Sequence, residues 1–119
     1  MRECRAVFLP HGVFSVMVLM AECLADRLRG LLGREPITDR YALWISPCRL
    51  VHTFGMRAAI DLAFVARRGR IVRTCADVAP GRVRGCAAAR GVLEFAAGSV
   101  HRLGLDRPAA RVVWTDPWR

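Results

Sequence analysis

The sequence predicts a mainly β protein, a small β-sandwich or half-barrel of about seven short strands with one N-terminal helix at about residues 22–32. Short runs rich in Val, Ile and Phe recur between turns that contain Gly, Pro or Arg, as in small antiparallel sheets. Leucines at the spacing of an amphipathic helix occur in one stretch, residues 22–32. Because 119 residues fit one domain with one modest core, we assign residues 1–119 to a single domain.

The helix is justified by its apolar stripe and by the residues that end it. Gly33 follows the last leucine and Pro36 lies just beyond, which is how a helix commonly stops. The leucines of the stripe are Leu24, Leu28, Leu31 and Leu32.

The predicted strands follow in order along the chain. Residues 67–70 predict the turn of a hairpin between two of them, 80–90 a Gly-rich basic loop and 98–105 a helical turn. The strands are predicted over residues 14–20, 41–46, 51–56, 60–66, 71–77, 92–96 and 111–115.

The charge of the chain is strongly positive, with a formal net charge of +9 and arginine as its only basic residue besides His. Lys, Asn and Gln are absent, and because Lys and Asn use AT-rich codons, we expect a GC-rich bacterial genome. Residues 67–90 hold seven Arg and one Asp. Such a strip attracts polyanions weakly, but it contains no aromatic residue on which bases stack. We therefore expect no specific nucleic-acid binding. Six of these arginines are expected to be exposed: Arg67, Arg68, Arg70, Arg73, Arg82 and Arg84.

Several classes of protein are excluded or disfavoured. The longest apolar run, residues 16–21, is far short of the roughly 20 residues of a membrane span. The start lacks a signal-peptide pattern, so we expect a cytoplasmic protein, or a periplasmic one if the gene start is wrong. Five cysteines without a C-x-x-C pair indicate reduced thiols. No Walker loop, dinucleotide fingerprint or G-x-S-x-G elbow is present.

Residues 48–65 are the most informative block, because polar residues stand at definite spacings within an apolar stretch. Cys48, His52 and Met56 are soft-metal ligand types. On an extended chain, however, side chains four residues apart are separated by about 13 Å. We therefore expect no metal and no cofactor, and the same distance argues against a Cys48–His52 nucleophile pair.

The remaining polar residues predict a shallow ligand-binding pocket rather than a catalytic centre. His52, Asp61, Arg57, Arg34 and Glu94 are its candidate residues, and no catalytic residue is assigned. A reversal of the chain at residues 57–59 would put His52 and Asp61 on neighbouring strands, about 4.8 Å apart. By alternation, Asp61 shares a face with Ala63 and Val65, where a carboxylate needs hydrogen-bond donors.

Two further interpretations stay open beside a binding or accessory role. A hydrolase-like enzyme would use His52 with Asp61 or Glu94 as an acid and base. An adaptor would instead dock its Arg-rich face on an acidic partner. Which ligand, which partner and which oligomeric state apply are not contained in these patterns.

The central block also resembles a known family. Its pattern, Cys48-x-x-Val51-His52-Thr53-x-Gly55-Met56-x-x-x-Ile60-Asp61-x-x-Phe64, is similar to the C-x-x-I-H-T-x-G-M-x-x-x-I-D-x-x-F of the domain of unknown function 192. Residues 27–34 look like that family's R-x-x-G-L-M-G-R helix end, with Leu32 in place of Met, and residues 92–98 resemble its V-L-E-L-P-A-G.

The likeness spans residues 14 to about 106. It implies a mainly β fold with one N-terminal helix and brings no established reaction. It also implies a possible link to envelope or pilus assembly, which the residues themselves do not indicate. Ala58 and Ala59 depart from the family pattern, which has a larger apolar residue and Pro there.

Overall fold

The computed structural model describes residues 2–10, 15–21 and 41–115. These residues contain nine strands and one α-helix, α1, at Ser99–Leu103. The strands are β1 (Arg2–Leu9), β2 (Ser15–Ala21), β3 (Tyr41–Ile45), β4 (Leu50–His52), β5 (Ile60–Val65), β6 (Ile71–Val78), β7 (Val83–Gly85), β8 (Gly91–Ala96) and β9 (Arg111–Trp114).

Seven of the strands form one curled sheet in the order β6-β5-β8-β3-β2-β1-β9. Neighbouring strands are antiparallel except β2 and β3, which run parallel. The two edges of the sheet meet, because Arg70 forms a bridge with Arg111 and the Ile71 N–H donates to the Ala110 carbonyl at 3.0 Å. This contact is a single bridge and not a ladder between β6 and β9, so the sheet is a curled half-barrel and not a closed barrel. The predicted mainly β fold is confirmed.

The inside of the half-barrel is filled by alternate residues of its strands. Helix α1 lies against this inner cluster with Val100 and Leu103 buried. The Trp44 and Trp114 rings meet edge to face at 5.6 Å and pack against this cluster. Each large apolar side chain buried here stabilises the fold by about 1.5–3 kcal/mol. The inner cluster includes Phe8, Val18, Ala63, Leu93, Phe95 and Val112.

The other face of β3, β8 and β5 carries a second, outer cluster, which is covered by the β4–β7 ribbon. Strands β4 and β7 form a separate two-stranded antiparallel sheet. Val51 of β4 is buried and packs on the outer cluster. Strands β5 and β8 are therefore buried on both faces. The outer cluster includes Leu43, Ile45, Leu62, Phe64, Val78 and Val92.

Most predicted strands are found within one or two residues of their predicted bounds. The hairpin turn at residues 67–70 and the helical turn at 98–105 are also confirmed. Strand β1 was not predicted, and β7 lies inside the predicted loop 80–90. The predicted strand 51–56 is shortened to Leu50–His52. The predicted helix 22–32 lies outside the described residues, and the described helix is on the C-terminal side.

Gly69 lies where the hairpin turn before β6 contacts β9, at the opposite edge of the sheet. Its φ is +74°, and a Cβ built on it would lie 2.1 Å from the carbonyl oxygen of Val112 in β9. Backbone cannot yield as a flexible side chain can, so the close approach needs glycine. The curl of the half-barrel thus depends on a residue without a side chain.

The Gly69→Ala variant should lose about 2 kcal/mol or more of unfolding free energy, because it combines a left-handed backbone with a steric clash. Urea denaturation measures the loss. Gly98→Ala is the matched control, since Gly98 also has a positive φ (+94°) but nothing within 4 Å of the added Cβ. Equal losses in the two variants would show that the turn does not press on β9.

Candidate functional site

Thr53 joins the β4–β7 ribbon to the loop before β7. Its hydroxyl donates to the Ala79 carbonyl at 2.7 Å and accepts from the Arg82 N–H at 2.8 Å. Its own N–H donates to the Arg82 carbonyl at 2.8 Å, and its carbonyl accepts from Gly81 and Met56. Every polar group of this buried residue is therefore paired, which fixes the end of the ribbon.

The face of the ribbon that points away from the sheet is apolar and exposed. Leu50 is 67% exposed, Phe54 55% and Val83 48%. His52, also exposed, pairs with Val83 across the ribbon, and its ring lies 5.6 Å from that of Phe54. We call Leu50, His52, Phe54 and Val83 the outer ribbon face. Contiguous exposed apolar side chains of this kind commonly mark interaction sites.

All the formally charged residues in the segments that carry the outer ribbon face are arginines. Residues 48–60 and 78–93 contain five arginines and no Asp or Glu. A further guanidinium reaches the ribbon from β6, where Arg73 donates to the Gly85 carbonyl. Of the six arginines expected to be exposed, Arg84 is half-buried; the exposed ones are Arg67, Arg68, Arg70, Arg73 and Arg82.

Asp61 has a structural position inside the half-barrel. It is 0% exposed, and its face of β5 carries Ala63 and Val65 of the inner cluster, as predicted. Oδ1 accepts from the Asp77 N–H and Oδ2 from the Val100 N–H, both at 2.8 Å. Backbone amides are thus the partners of this carboxylate, and they join β5 to β6 and to the first turn of α1.

Glu94 lies on the opposite face of the sheet, where the outer cluster is. On β8 it pairs with Leu43 and Leu62 and is 2% exposed. Its Oε1 accepts no hydrogen bond from the part of the chain that the structure describes. Burial raises the pKa of this carboxyl to about 7, because the apolar surroundings disfavour the charged form. Glu94 is therefore partly protonated at neutral pH.

The thiol of Cys48 is not set up as a nucleophile. Burial raises its pKa, and the nearby Glu94 adds to the effect, so the reactive thiolate is scarce at neutral pH. Its Sγ–H donates to the Leu50 carbonyl at 3.3 Å. Within the described part of the chain, Cys48, Cys75 and Cys86 form no disulfide.

The three soft-metal candidates do not share one side of the ribbon. Cys48 and Met56 pack against the outer cluster, whereas His52 is exposed on the outer ribbon face. Within residues 2–10, 15–21 and 41–115, no three His, Cys, Asp or Glu side chains converge as metal ligands. No helix in these ranges is long and apolar enough to cross a membrane.

The predicted pocket residues are placed apart. The expectation that His52 and Asp61 lie on neighbouring strands is wrong, because β4 pairs with β7 while β5 pairs with β6 and β8. Residues 53–59 carry the chain from the ribbon back into the main sheet instead of making a tight reversal. Arg57 is exposed on this connection, Glu94 is under the outer cluster, and Arg34 lies outside the described residues.

Sequence reasoning missed the outer ribbon face. Leu50, His52 and Phe54 occupy alternate positions, which is a strand signal, but alternation alone does not indicate which face of the strand is exposed. Val83 is the only apolar side chain of β7 and stands between two arginines. The alternation within β4, read together with the lack of carboxylates around it, is the signal that points to an exposed ribbon.

The fold and site define a class of small protein: a curled β-sheet that carries a basic ribbon on one face. The chain belongs to the domain of unknown function 192 family, described as uncharacterized ACR, whose model matches residues 9–113. The family resemblance of the central block is therefore confirmed. A comparison with curated proteins finds no match.

Two solved structures are similar to the chain. One is described as a "putative transcription regulator" from Sinorhizobium meliloti 1021; it is 20% identical with a TM-score of 0.83, over 95% of this chain and 94% of that one. The other is a protein of unknown function from Novosphingobium aromaticivorans DSM 12444, 21% identical with a TM-score of 0.79, over 94% of this chain and 84% of that one. At these identities the likeness shows the fold alone.

The Asp61→Ala variant should lose about 2–4 kcal/mol of unfolding free energy, because it removes the acceptor of one buried and one partly buried N–H group. Chemical denaturation measures the loss. His52→Ala, from the same sequence block, is the control and should change stability by no more than about 0.5 kcal/mol, since His52 is exposed. A large loss in the His52 variant, or a negligible one in the Asp61 variant, would contradict this assignment.

The stability of the protein should fall as the pH rises from about 4.5 to about 7. Glu94 has a higher pKa in the folded protein than in the unfolded chain, so the folded state binds this proton more tightly. Its contribution, at most about 3 kcal/mol, is complete below the unfolded pKa and lost above the folded one. Denaturation curves across this range measure it.

The Glu94→Gln variant should remove this pH dependence, because the amide does not titrate. Asp106→Asn, at an exposed position, is the matched control and should keep it. If the unfolding free energy of both variants has the wild-type dependence on pH between pH 5 and 7, the pH dependence does not come from Glu94.

Proposed function

We propose that this protein is a non-enzymatic binding protein that docks a partner protein on the outer ribbon face. The partner supplies apolar side chains that cover Leu50, Phe54 and Val83, with acidic side chains around them. The single observation that carries the proposal is the exposure of these three large apolar residues on one face of one ribbon.

The apolar part of the surface supports binding by burial. Covering a large exposed side chain stabilises a complex by about 1.5–3 kcal/mol, and a few such anchors commonly provide most of the affinity of an interface. Phe54 is the aromatic anchor, with the His52 ring beside it. Thr53 holds the base of both residues through five hydrogen bonds, so little order has to be gained on binding.

The charge of the surface supports an acidic partner. The ribbon segments carry five arginines and no carboxylate, so a neutral or basic partner would leave this charge uncompensated. Carboxylates placed opposite guanidinium groups give complementary potentials, which raise association rates and exclude wrong partners. Association should therefore weaken as salt is added.

The geometry supports a binding role over the hydrolase alternative. An acid and base must lie within hydrogen-bond reach of one substrate. The oxygens of Asp61 are occupied by two backbone N–H groups inside the half-barrel, while His52 is exposed on the other sheet. Glu94 is covered by the outer cluster and is 2% exposed.

Nucleic acid is the alternative partner that the experiment must distinguish from an acidic protein. A ring pair beside arginines is also a base-stacking arrangement, and one structural relative is described as a "putative transcription regulator". Leu50 and Val83 favour a protein partner, because exposed aliphatic side chains gain little from phosphates or base faces. The link to envelope or pilus assembly, implied by family resemblance alone, indicates where acidic protein partners can be sought first.

Selection from a random peptide library displayed on phage tests the proposal. Selected peptides should carry apolar anchors among Asp and Glu residues. Their affinity, measured by fluorescence anisotropy, should fall at least tenfold in Phe54→Ser. Leu9→Ser is the matched control, because Leu9 is also an exposed apolar residue (36%) but lies at the end of β1, and it should leave the affinity unchanged.

Two outcomes would overturn the proposal. One is a set of selected peptides without acidic enrichment, or with affinities that Phe54→Ser does not change. The other is tight binding of a single-stranded or duplex oligonucleotide at about 150 mM salt that is lost in Phe54→Ser, which would assign the same surface to nucleic acid.

A further inference from the structure

A groove of about 470 Å³ lies beside the ribbon, between the segment after β3 and the turn before β8. Its lining residues are Ser46, Pro47, Cys48, Arg49, Ala89 and Arg90. The volume is in the range of about 300–1,000 Å³ that is typical of small-molecule sites. None of the lining residues belongs to the outer ribbon face, so the groove is a separate candidate.

The walls of the groove are held in place by hydrogen bonds between its two sides. The Arg90 carbonyl accepts from the Cys48 N–H and from the Ser46 hydroxyl, both at 3.1 Å. The Arg90 N–H donates to the Val65 carbonyl at 2.8 Å, which fastens the turn to β5. The Arg49 Nε donates to the Ala89 carbonyl at 3.3 Å. The groove is thus formed before any ligand arrives.

The lining chemistry selects anions. Both charged residues are arginines, and no lining residue is acidic. The side chain of Arg90 makes no hydrogen bond or ion pair to the residues that the structure describes, and Arg49 uses only Nε. Guanidinium groups with free N–H donors bind carboxylate and phosphate oxygens in a bidentate way. Pro47 and Ala89 add an apolar wall.

We infer that this groove binds a small organic anion, with its carboxylate or phosphate on Arg49 and Arg90 and its apolar body against Pro47 and Ala89. The inference goes beyond the docking of a partner protein and uses no residue of the outer ribbon face, although Arg49 and Arg90 are two of the five arginines in the surrounding segments. It would stand if the outer ribbon face bound nothing, and it can fail without affecting that proposal.

Titration of the ¹⁵N-labelled protein with phenyl phosphate, benzoate and neutral benzyl alcohol tests the inference by NMR. At least one of the two anions should shift the backbone amide signals of Cys48, Ala89 and Arg90 in a saturable way, and benzyl alcohol should not. The tighter of the two anions identifies phosphate or carboxylate as the natural head group.

Arg90→Gln should weaken anion binding at least tenfold. The variant should fold, because the Arg90 side chain is exposed and the described hydrogen bonds of this residue are made by its backbone. Arg68→Gln removes the same charge from an exposed arginine of the turn before β6 and should leave binding unchanged. Phe54→Ser should also leave it unchanged, which separates this site from the outer ribbon face.

Equal weakening by Arg90→Gln and Arg68→Gln would overturn the inference, since it would show attraction to the general positive charge. Saturable shifts that map to residues outside the groove, or the absence of saturable shifts with either anion at about 150 mM chloride, would overturn it as well.

Discussion

A buried carboxylate must be satisfied by hydrogen bonds, and in this fold the constraint falls on Asp61. It lies on the inner face of β5, the strand that pairs with both β6 and β8. Its two oxygens accept from the N–H groups of Asp77 and Val100. One side chain therefore fixes where β6 departs from regular pairing, at a residue with a φ of +55°, and where α1 begins. The end of the half-barrel depends on it.

The two faces of the central strands divide the protein into an inner and an outer part. The inner cluster is enclosed by the curled sheet itself. The outer cluster needs a cover, which the β4–β7 ribbon supplies with Val51. The ribbon has only two strands, and its inward face packs on the outer cluster. No described element packs on its outward face. The exposed Leu50 and the buried Val51 are thus two sides of one arrangement.

Local patterns predicted those elements whose pairing is local. The β5–β6 hairpin was predictable because its turn, residues 67–70, joins adjacent strands, and the face of Asp61 followed from simple alternation with Ala63 and Val65. The β4–β7 pairing was not predictable, because it joins His52 to Val83 across a long stretch of chain and β7 has no strand pattern of its own. The predicted His52–Asp61 proximity failed for the same reason: the chain leaves the ribbon instead of reversing.

The arginine side chains of the ribbon are held by neutral backbone carbonyls, so their positive charge stays available to bind anions. Several guanidinium groups donate to backbone carbonyls: Arg49 to Ala89, Arg73 to Gly85 and Arg84 to Val83. A carbonyl satisfies a donor and orients the side chain, but it carries no net charge to cancel that of the guanidinium. An ion pair with a carboxylate would orient the side chain and would also cancel its charge. With no Asp or Glu in residues 48–60 or 78–93, the arginines are positioned while their field remains uncompensated. These guanidinium groups can therefore still pair with solvent anions or with an anionic ligand or partner.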